Sequence, residues 1–252
     1  MVTDPLFYAA AVPAVVLMGL AKGGFSGLGL LSLPLMSLVL SPVQAAAIIL
    51  PILLVQDVVS VWAYRRAWDR RNIMILLPSA IMGTGTGYLL AAQVSDAAVR
   101  LVIGAITTGF ALRRIVLDRR KTPPAPAKAD VPRGVFWGWL AGFTSMIAHA
   151  GGPPFQIYVM PQKLPRDVFV GTGAVFFALN NWMKVPPYFA LGQLTGENLA
   201  TSAALFPLAI ASTFAGVRLV RYVSGERFYT LVYALLVLVG LKLIVDGIGA
   251  YL

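Results

Sequence analysis

Long apolar runs, each about twenty residues and separated by short polar turns, dominate this chain of 252 residues. Runs of this length match an α-helix that crosses the hydrocarbon core of a bilayer. Only 12% of the residues are charged, which is about half the fraction typical of a soluble domain. The runs lack the strict polar–apolar alternation of transmembrane β-strands. The sequence therefore predicts an all-α polytopic membrane protein.

Two glycine-rich interruptions break this apolar pattern, GLAKGGFSGLG at residues 19–29 and IAHAGGPPF at residues 147–155. The apolar segments beside them are short for a full span, so we expect broken helices or re-entrant hairpins. Irregular backbone at membrane depth is tolerated only where protein or a polar cavity shields it from lipid. The predicted apolar segments are residues 5–21, 25–40, 43–63, 73–92, 97–113, 134–149, 153–161, 168–190, 198–217 and 227–249.

Most of the 20 lysine and arginine residues fall in four polar regions, and cytoplasmic loops of membrane proteins carry such an excess. These regions are residues 65–71, 113–133, 163–166 and 218–227. Placing all four inside predicts that both termini lie outside and that the Pro-rich linker 117–133 is cytoplasmic. The formal net charge of +10 then follows from topology, and no nucleic-acid partner is predicted.

The same orientation makes corresponding elements of the two halves enter the membrane from opposite sides, which is the mark of an inverted-topology repeat. The predicted division is a first transmembrane repeat at residues 1–116, the linker at 117–133 and a second repeat at 134–252. Each repeat would contain a glycine-broken helix or hairpin plus three spanning helices. The glycine pair at 23–24 recurs at 151–152, which agrees with this division.

The two breaks carry the candidate binding residues. In inverted-repeat carriers, discontinuous helices meet near the midplane, and their free N–H groups face an anionic substrate. Glycine lets a ligand approach the backbone, and an ionisable residue inside a membrane is a functional candidate by default. We therefore predict an anion site at the midplane, formed by Lys22, Gly23, Gly24, Phe25, Ser26, His149, Gly151, Gly152 and Pro153.

The segment 168–190 adds Asn180, Asn181 and Lys184, which share one helical face. This face is predicted to line the cavity, and an interhelical hydrogen-bond clamp is the alternative. Two residues are candidates for proton coupling, His149 and Asp57. His149 is favoured because it adjoins a break, whereas arginines at the end of segment 43–63 are within reach of Asp57. Neither a metal site nor a cofactor is predicted, and the absence of cysteine excludes disulfides and thiolate chemistry.

The stretches AKGGFSGLGLLSLPLM and HAGGPPFQIYVMPQKLP resemble the paired glycine signatures of the TauE/SafE sulfite exporter family. The resemblance covers essentially the whole chain, including the linker between matching halves. It implies a bacterial inner-membrane transporter of sulfite or a small organosulfonate such as sulfoacetate. Its partners would be that anion and the lipid bilayer, and the resemblance leaves open a coupled proton or sodium ion and a homo-oligomer.

Two other functions are compatible with the sequence. A passive anion channel could also use glycine loops and a lysine to line its pore. The tetrapeptide GFSG at residues 24–27 matches the G-x-S-G of rhomboid-type intramembrane proteases, where Ser26 and His149 would form a nucleophile–base dyad. The second break repeats the glycines without a serine, which an anion site explains and a protease does not. The preferred prediction is thus a secondary transporter and not an enzyme.

Overall fold

The computed structural model describes residues 2–25, 27–91, 93, 95–118, 126–220, 222 and 226–250. Ser26 and residues 119–125 of the predicted linker lie outside the described residues. Within the described part of the chain all regular structure is helical. The α-helices are α1 Pro5–Gly23, α2 Ser32–Met36, α3 Pro42–Tyr64, α4 Arg70–Ala91, α5 Asp96–Asp118, α6 Val131–Ala148, α7 Gly152–Val159, α8 Arg166–Ala190, α9 Gly196–Leu219 and α10 Glu226–Gly249.

Several helix starts are encoded locally by capping side chains. Asp4, Ser41, Asp130 and Thr195 each accept a hydrogen bond from a backbone N–H in the first turn of α1, α3, α6 and α9, respectively. Such caps satisfy donors that have no partner inside the helix. Three of these helices also have a proline in the first turn, where its missing N–H costs nothing.

Helices α1, α3, α4 and α9 are long and apolar enough to cross a membrane. With helices as the only regular elements of the described chain, they confirm the prediction of an all-α polytopic membrane protein. One predicted segment differs. Residues 25–40 do not form a helix of span length but a 3-10 turn, Leu28–Leu31, followed by the five-residue helix α2. This segment returns from the end of α1 toward the start of α3.

Glycines let two pairs of helices approach closely, α1 with α9 and α4 with α6. A Cβ on Gly216 of α9 would lie 2.9 Å from Cα of Leu20, and one on Gly87 of α4 would lie 2.9 Å from Cβ of Met146. The small residues at 83–87 therefore serve helix packing, as their pattern predicts. Each glycine-broken helix packs on a helix of the other half, which an inverted repeat would produce, but the repeat itself stays a prediction.

Helices α3 and α8 run antiparallel through the centre of the molecule and carry several of its buried polar residues, among them Asp57, Asn180, Asn181 and Lys184. The first glycine break lies at the C-terminal end of α3, where the Tyr64 hydroxyl donates to the Gly23 carbonyl at 2.7 Å. The second break lies near the other end of α3, where Nε2 of His149 is 3.0 Å from the Ala46 carbonyl oxygen. The central pair thus connects the two breaks.

Candidate functional site

The first break is the C-terminal end of α1, and its backbone donors are already occupied. The N–H of Gly24 donates to carbonyls of the last turn, and the N–H of Phe25 donates to the Leu20 carbonyl at 3.1 Å. Gly24 has φ +129°, a conformation that favours glycine. A helix C-terminus presents spare carbonyls rather than spare N–H groups. The expected cradle of free amides is therefore absent at Gly24 and Phe25, and Lys22 supplies the positive charge there.

The second break is also a helix C-terminus, that of α6. His149 caps this helix in the left-handed conformation, with φ 49° and ψ 24°. Its N–H donates to the Ser145 carbonyl, and the N–H of Ala150 returns to the Thr144 carbonyl. A left-handed conformation is uncommon for a residue other than glycine. The turn fixes the direction in which the His149 imidazole leaves the backbone.

The two breaks contact α3 at separate points along that helix, and an anion site at the midplane stays a prediction. The Ser60 hydroxyl donates to the Lys22 carbonyl at one break, and His149 contacts the Ala46 carbonyl at the other. Ala46 and Ser60 are about 20 Å apart along α3 at 1.5 Å rise per residue.

A buried ion pair stands beside the first break. Nζ of Lys22 pairs with Oδ1 of Asp57, and Nδ2 of Asn181 donates to Oδ2 of the same carboxylate at 2.7 Å. Asp57 is 1% exposed and Lys22 13%. Asp57 therefore contacts Lys22 and Asn181 rather than the arginines after α3, contrary to the sequence-based expectation. The pair joins α1, α3 and α8 at one point.

A cluster of two basic residues, Lys184 and His149, lies near the other break. Nζ of Lys184 is 2.7 Å from Nδ1 of His149 and donates to the carbonyl and hydroxyl oxygens of Ser145. Nε2 of His149 faces the Ala46 carbonyl, a pure acceptor, so this nitrogen carries the imidazole proton. Nδ1 is then the acceptor for the Lys184 ammonium. The Tyr188 hydroxyl, 3.3 Å from Nε2, completes the surroundings of the ring.

The predicted polar face of α8 divides into two parts. Asn181 and Lys184 line a cavity between the breaks, whereas Asn180 is not among the lining residues. Its Nδ2 donates to the Ser145 hydroxyl at 2.8 Å, and Thr84 donates to its Oδ1 at 3.2 Å. Asn180 therefore ties α8 to α4 and α6, which is the interhelical clamp considered as the alternative.

The cavity offers a volume of about 160 Å³ to the centres of water molecules, against roughly 10–15 Å³ needed by one water. It can hold a small anion together with some hydration. The predicted site residues that line it are Lys22, Gly24, His149, Gly152, Asn181 and Lys184. Besides Asn180, the described site residues that do not line it are Gly23, Phe25, Gly151 and Pro153, all of which are buried.

The polar cavity residues that the sequence prediction missed include Ser145 and Gln156. Ser145 lies one helical turn before His149, so the 3.6-residue period could have indicated that both face the same side. Gln156 is a polar residue in the short apolar segment 153–161, and this could have indicated that its side chain faces a cavity. In the described part of the chain, no group of three or more His, Asp or Glu side chains is arranged to hold a metal ion.

Comparison with known families gives one match of nearly full length. The family model described as Sulfite exporter TauE/SafE matches residues 11–243. Neither a curated protein nor a solved structure matches the chain significantly.

Proposed function

We propose that this chain, which belongs to the TauE/SafE sulfite exporter family, is a secondary transporter that moves sulfite or a small organosulfonate across the bacterial inner membrane. Its family is one of transporters, and its helices make it a multi-pass membrane protein. The substrate, the anion site and the particular membrane belong to the proposal. So does the orientation, with both termini outside and the linker 117–133 in the cytoplasm.

The observation that carries the proposal is the buried ammonium group of Lys184. The side chain is 0% exposed, and its contacts are the two oxygens of Ser145 and Nδ1 of His149. None of these groups is a carboxylate, and no salt bridge of Lys184 is found among the described residues. A buried charge is costly unless it is paired. A substrate anion in the cavity would supply the counter-ion.

Lys22 gives the anion a second partner, but in competition with Asp57. Lys22 is neutralised by the Asp57 carboxylate, so only one of the two lysines lacks a counter-ion. An anion that contacts both lysines must draw Lys22 away from Asp57. This competition lowers the affinity of the site for the anion, and a transporter needs an affinity low enough to release its substrate.

The position of the breaks suggests how access could alternate. The cavity is lined by residues of both breaks, and the breaks lie toward opposite ends of α3. Movement of one hairpin would open the cavity toward one side of the membrane, while the other hairpin keeps it closed. In the proposed orientation the Gly24 break serves the cytoplasmic side and the His149 break the external side.

A membrane potential that is negative inside would favour export. Moving one elementary charge through 100 mV is worth about 2.3 kcal/mol. A monovalent anion that leaves without a compensating cation gains this energy, so export needs no ATP. A proton carried with the anion would cancel the electrical term. The charge moved per anion thus distinguishes the two forms of transport.

The experiment is flux into proteoliposomes with labelled sulfite, sulfoacetate, sulfate and taurine, each with and without imposed proton, sodium and electrical gradients. The expected result is saturable flux of sulfite or sulfoacetate, driven by at least one gradient. Lys184→Gln should abolish it, whereas Lys163→Gln, which removes an exposed lysine from a turn, should not. Flux that is unaffected in Lys184→Gln protein of native thermal stability would contradict the proposal.

Two alternatives have distinct outcomes in the same assay. Flux that no proton or sodium gradient drives and that does not saturate would favour a passive anion channel. The protease reading needs a free nitrogen on His149, but both ring nitrogens already have partners in the structure. Cleavage of a membrane peptide that is lost in Ser26→Ala would nevertheless establish that function.

A further inference from the structure

A second, smaller cavity lies close to the His149 break, and we call it the outer pocket. Its lining includes Val43 and Gln193, which are half-buried, and Ala46 and Tyr188, which are buried. Val43 lies in the first turn of α3, and Gln193 lies in the turn between α8 and α9. The outer pocket therefore extends from partly exposed residues at this end of the helices to buried residues beside His149.

About one helical turn separates the outer pocket from the central cavity between the breaks. On α8, Lys184 lines the central cavity and Tyr188 lines the outer pocket. On α3, Ile49 lines the central cavity and Ala46 lines the outer pocket. Three or four residues correspond to about 4.5–6 Å of helix at 1.5 Å rise per residue. The two spaces are thus divided by a layer about one side chain thick.

The rings of His149 and Tyr188 form this layer. Their centroids are 5.9 Å apart, and the Tyr188 hydroxyl oxygen is 3.3 Å from Nε2 of His149. The same Nε2 is 3.0 Å from the Ala46 carbonyl oxygen, and the Tyr188 hydroxyl donates to the Met146 carbonyl at 3.4 Å. The layer therefore joins α3, α6 and α8 at the point where the central cavity ends.

We infer that Tyr188 is the gate residue on the external path of the anion, and that its ring must leave this layer before the central cavity opens into the outer pocket. The inference rests on the proposed function for the anion that passes. The outer pocket offers about 30 Å³ to the centres of water molecules, which is room for about two waters. No charged side chain is among the described residues that line it, so it serves as an entrance rather than as a second anion site.

Tyr188 can move while the groups that hold the anion stay in place. Its two hydrogen-bond contacts are long, whereas His149 has closer partners, with Nδ1 at 2.7 Å from Nζ of Lys184 and Nε2 at 3.0 Å from the Ala46 carbonyl oxygen. Hydrogen bonds that involve a charged group are also the stronger kind. Displacement of the phenol ring therefore breaks the weaker contacts of the layer and leaves Lys184 and His149 at the cavity.

The backbone just before Tyr188 is suited to such a movement. Pro186 and Pro187 lie inside α8, and neither has an N–H to donate to the carbonyl four residues earlier. Sharp bends of helices occur most often at proline. The turn that carries Tyr188 is thus joined to the rest of α8 by fewer hydrogen bonds than an ordinary helical turn.

The experiment measures whether a thiol just inside the layer reacts with a reagent added just outside it. The chain has no cysteine, so Ala148→Cys at the central cavity and Gln193→Cys at the outer pocket serve as single reporters. An impermeant methanethiosulfonate is added to membrane vesicles on the side from which Gln193→Cys reacts. We expect Ala148→Cys to react far more slowly than Gln193→Cys while Tyr188 is intact.

Two substitutions of Tyr188 test the gate. Tyr188→Ala removes the ring and should bring the reaction rate of Ala148→Cys close to that of Gln193→Cys. Tyr188→Phe keeps the ring and loses only the hydroxyl, so it should raise the rate about three- to tenfold, the effect of one net hydrogen bond. This variant also serves if Tyr188→Ala does not fold. Neither substitution should speed the reaction of Ala148→Cys with reagent added from the opposite side.

Tyr158→Ala and Tyr158→Phe are the matched controls, because they remove the same atoms from another buried tyrosine. Tyr158 is 6% exposed, and its hydroxyl donates to the Asp130 carbonyl at 2.9 Å. It is not among the described residues that line either cavity. These variants should leave the reaction rate of Ala148→Cys unchanged.

The outcomes separate the gate from the proposed function. Equal rates for the two reporters with Tyr188 intact would overturn the inference, because no closed layer would then lie between them. A rate for Ala148→Cys that neither Tyr188 variant changes would overturn it too, as would a rate that rises equally in the Tyr158 variants or from both sides of the membrane. The assay needs no substrate, so the expected rates in a protein that transports none of the tested anions would support the gate and contradict the proposed function.

Discussion

The buried pair of Lys22 and Asp57 makes a prediction in which stability and binding respond differently. Lys22→Gln leaves Asp57, 1% exposed, with Asn181 as its remaining partner. Removing one member of a buried ion pair typically costs about 3–5 kcal/mol. Because Lys22 is 13% exposed and the Asn181 bond persists, we expect a loss near the lower end, about 3 kcal/mol.

The double variant Lys22→Gln/Asp57→Asn should recover most of that stability, because it leaves two neutral amides in place of an unpaired carboxylate. Anion binding should not recover with it. A hydrogen bond to a charged group contributes about 1.5–3 kcal/mol, so both proteins that lack Lys22 should bind the anion about 10- to 150-fold more weakly. Asp57→Asn alone should instead bind the anion more tightly, since Lys22 no longer has a competing partner.

The assays are thermal unfolding in detergent for stability and calorimetric titration with sulfite and sulfoacetate for binding. Native stability of Lys22→Gln would refute the assignment of a buried ion pair. Wild-type affinity in the double variant would show that Lys22 does not hold the anion. Weaker binding in Asp57→Asn would contradict competition between the carboxylate and the substrate.

Three further predictions concern proton coupling, helix packing and topology. Asp57 and His149 both stay candidates for proton coupling. Asp57→Asn should flatten the pH dependence of binding if the carboxylate is the coupling residue, and His149→Gln should flatten it if the imidazole is; a pH profile that neither substitution changes would contradict both assignments. Gly83→Ala should lower thermal stability by about 1–3 kcal/mol or more through overpacking, because its Cβ would collide with the Trp139 carbonyl, whereas Gly85→Ala, with nothing within 4 Å, should be neutral or slightly stabilising. Equal melting temperatures of these two variants would contradict the close packing of α4 on α6. In topology, single cysteines in a chain that has none should react with an impermeant reagent from outside at Ser41→Cys and Gln193→Cys, and not at Trp68→Cys and Lys128→Cys; labelling of the second pair instead would reverse the orientation.

The helices and their limits were largely predictable from the sequence. Apolar length and local caps act within a few residues, so the predicted segments agree with most helix bounds to within about five residues. The segment 25–40 is the exception, because an apolar run is compatible with a long helix as well as with an irregular return. Only the surrounding helices, which shield its backbone from lipid, decide that it is a 3-10 turn and a short helix.

The candidate site shows the same division between local and long-range information. Residue type identified Lys22, Asp57, His149, Asn181 and Lys184 as unusual inside a membrane, since each carries a cost there that demands an explanation. Their partners could not be identified in this way. Asp57 lies near arginines in sequence, yet it pairs with Lys22 because the C-terminal turn of α1 packs against α3.

The sequence by itself determined that the chain lies in a lipid bilayer, the number and order of its helices, and which residues are costly to place in a membrane. Tertiary structure alone decided where along α3 the two breaks make contact, the division of the α8 face into Asn181 and Lys184 at the cavity and Asn180 in a clamp, and the position of Gln156 at the cavity wall. The reason is physical. Apolar length and capping are properties of one segment. The partners of a buried side chain and its access to the cavity depend instead on which helices pack against each other, and glycines permit the closest of these approaches.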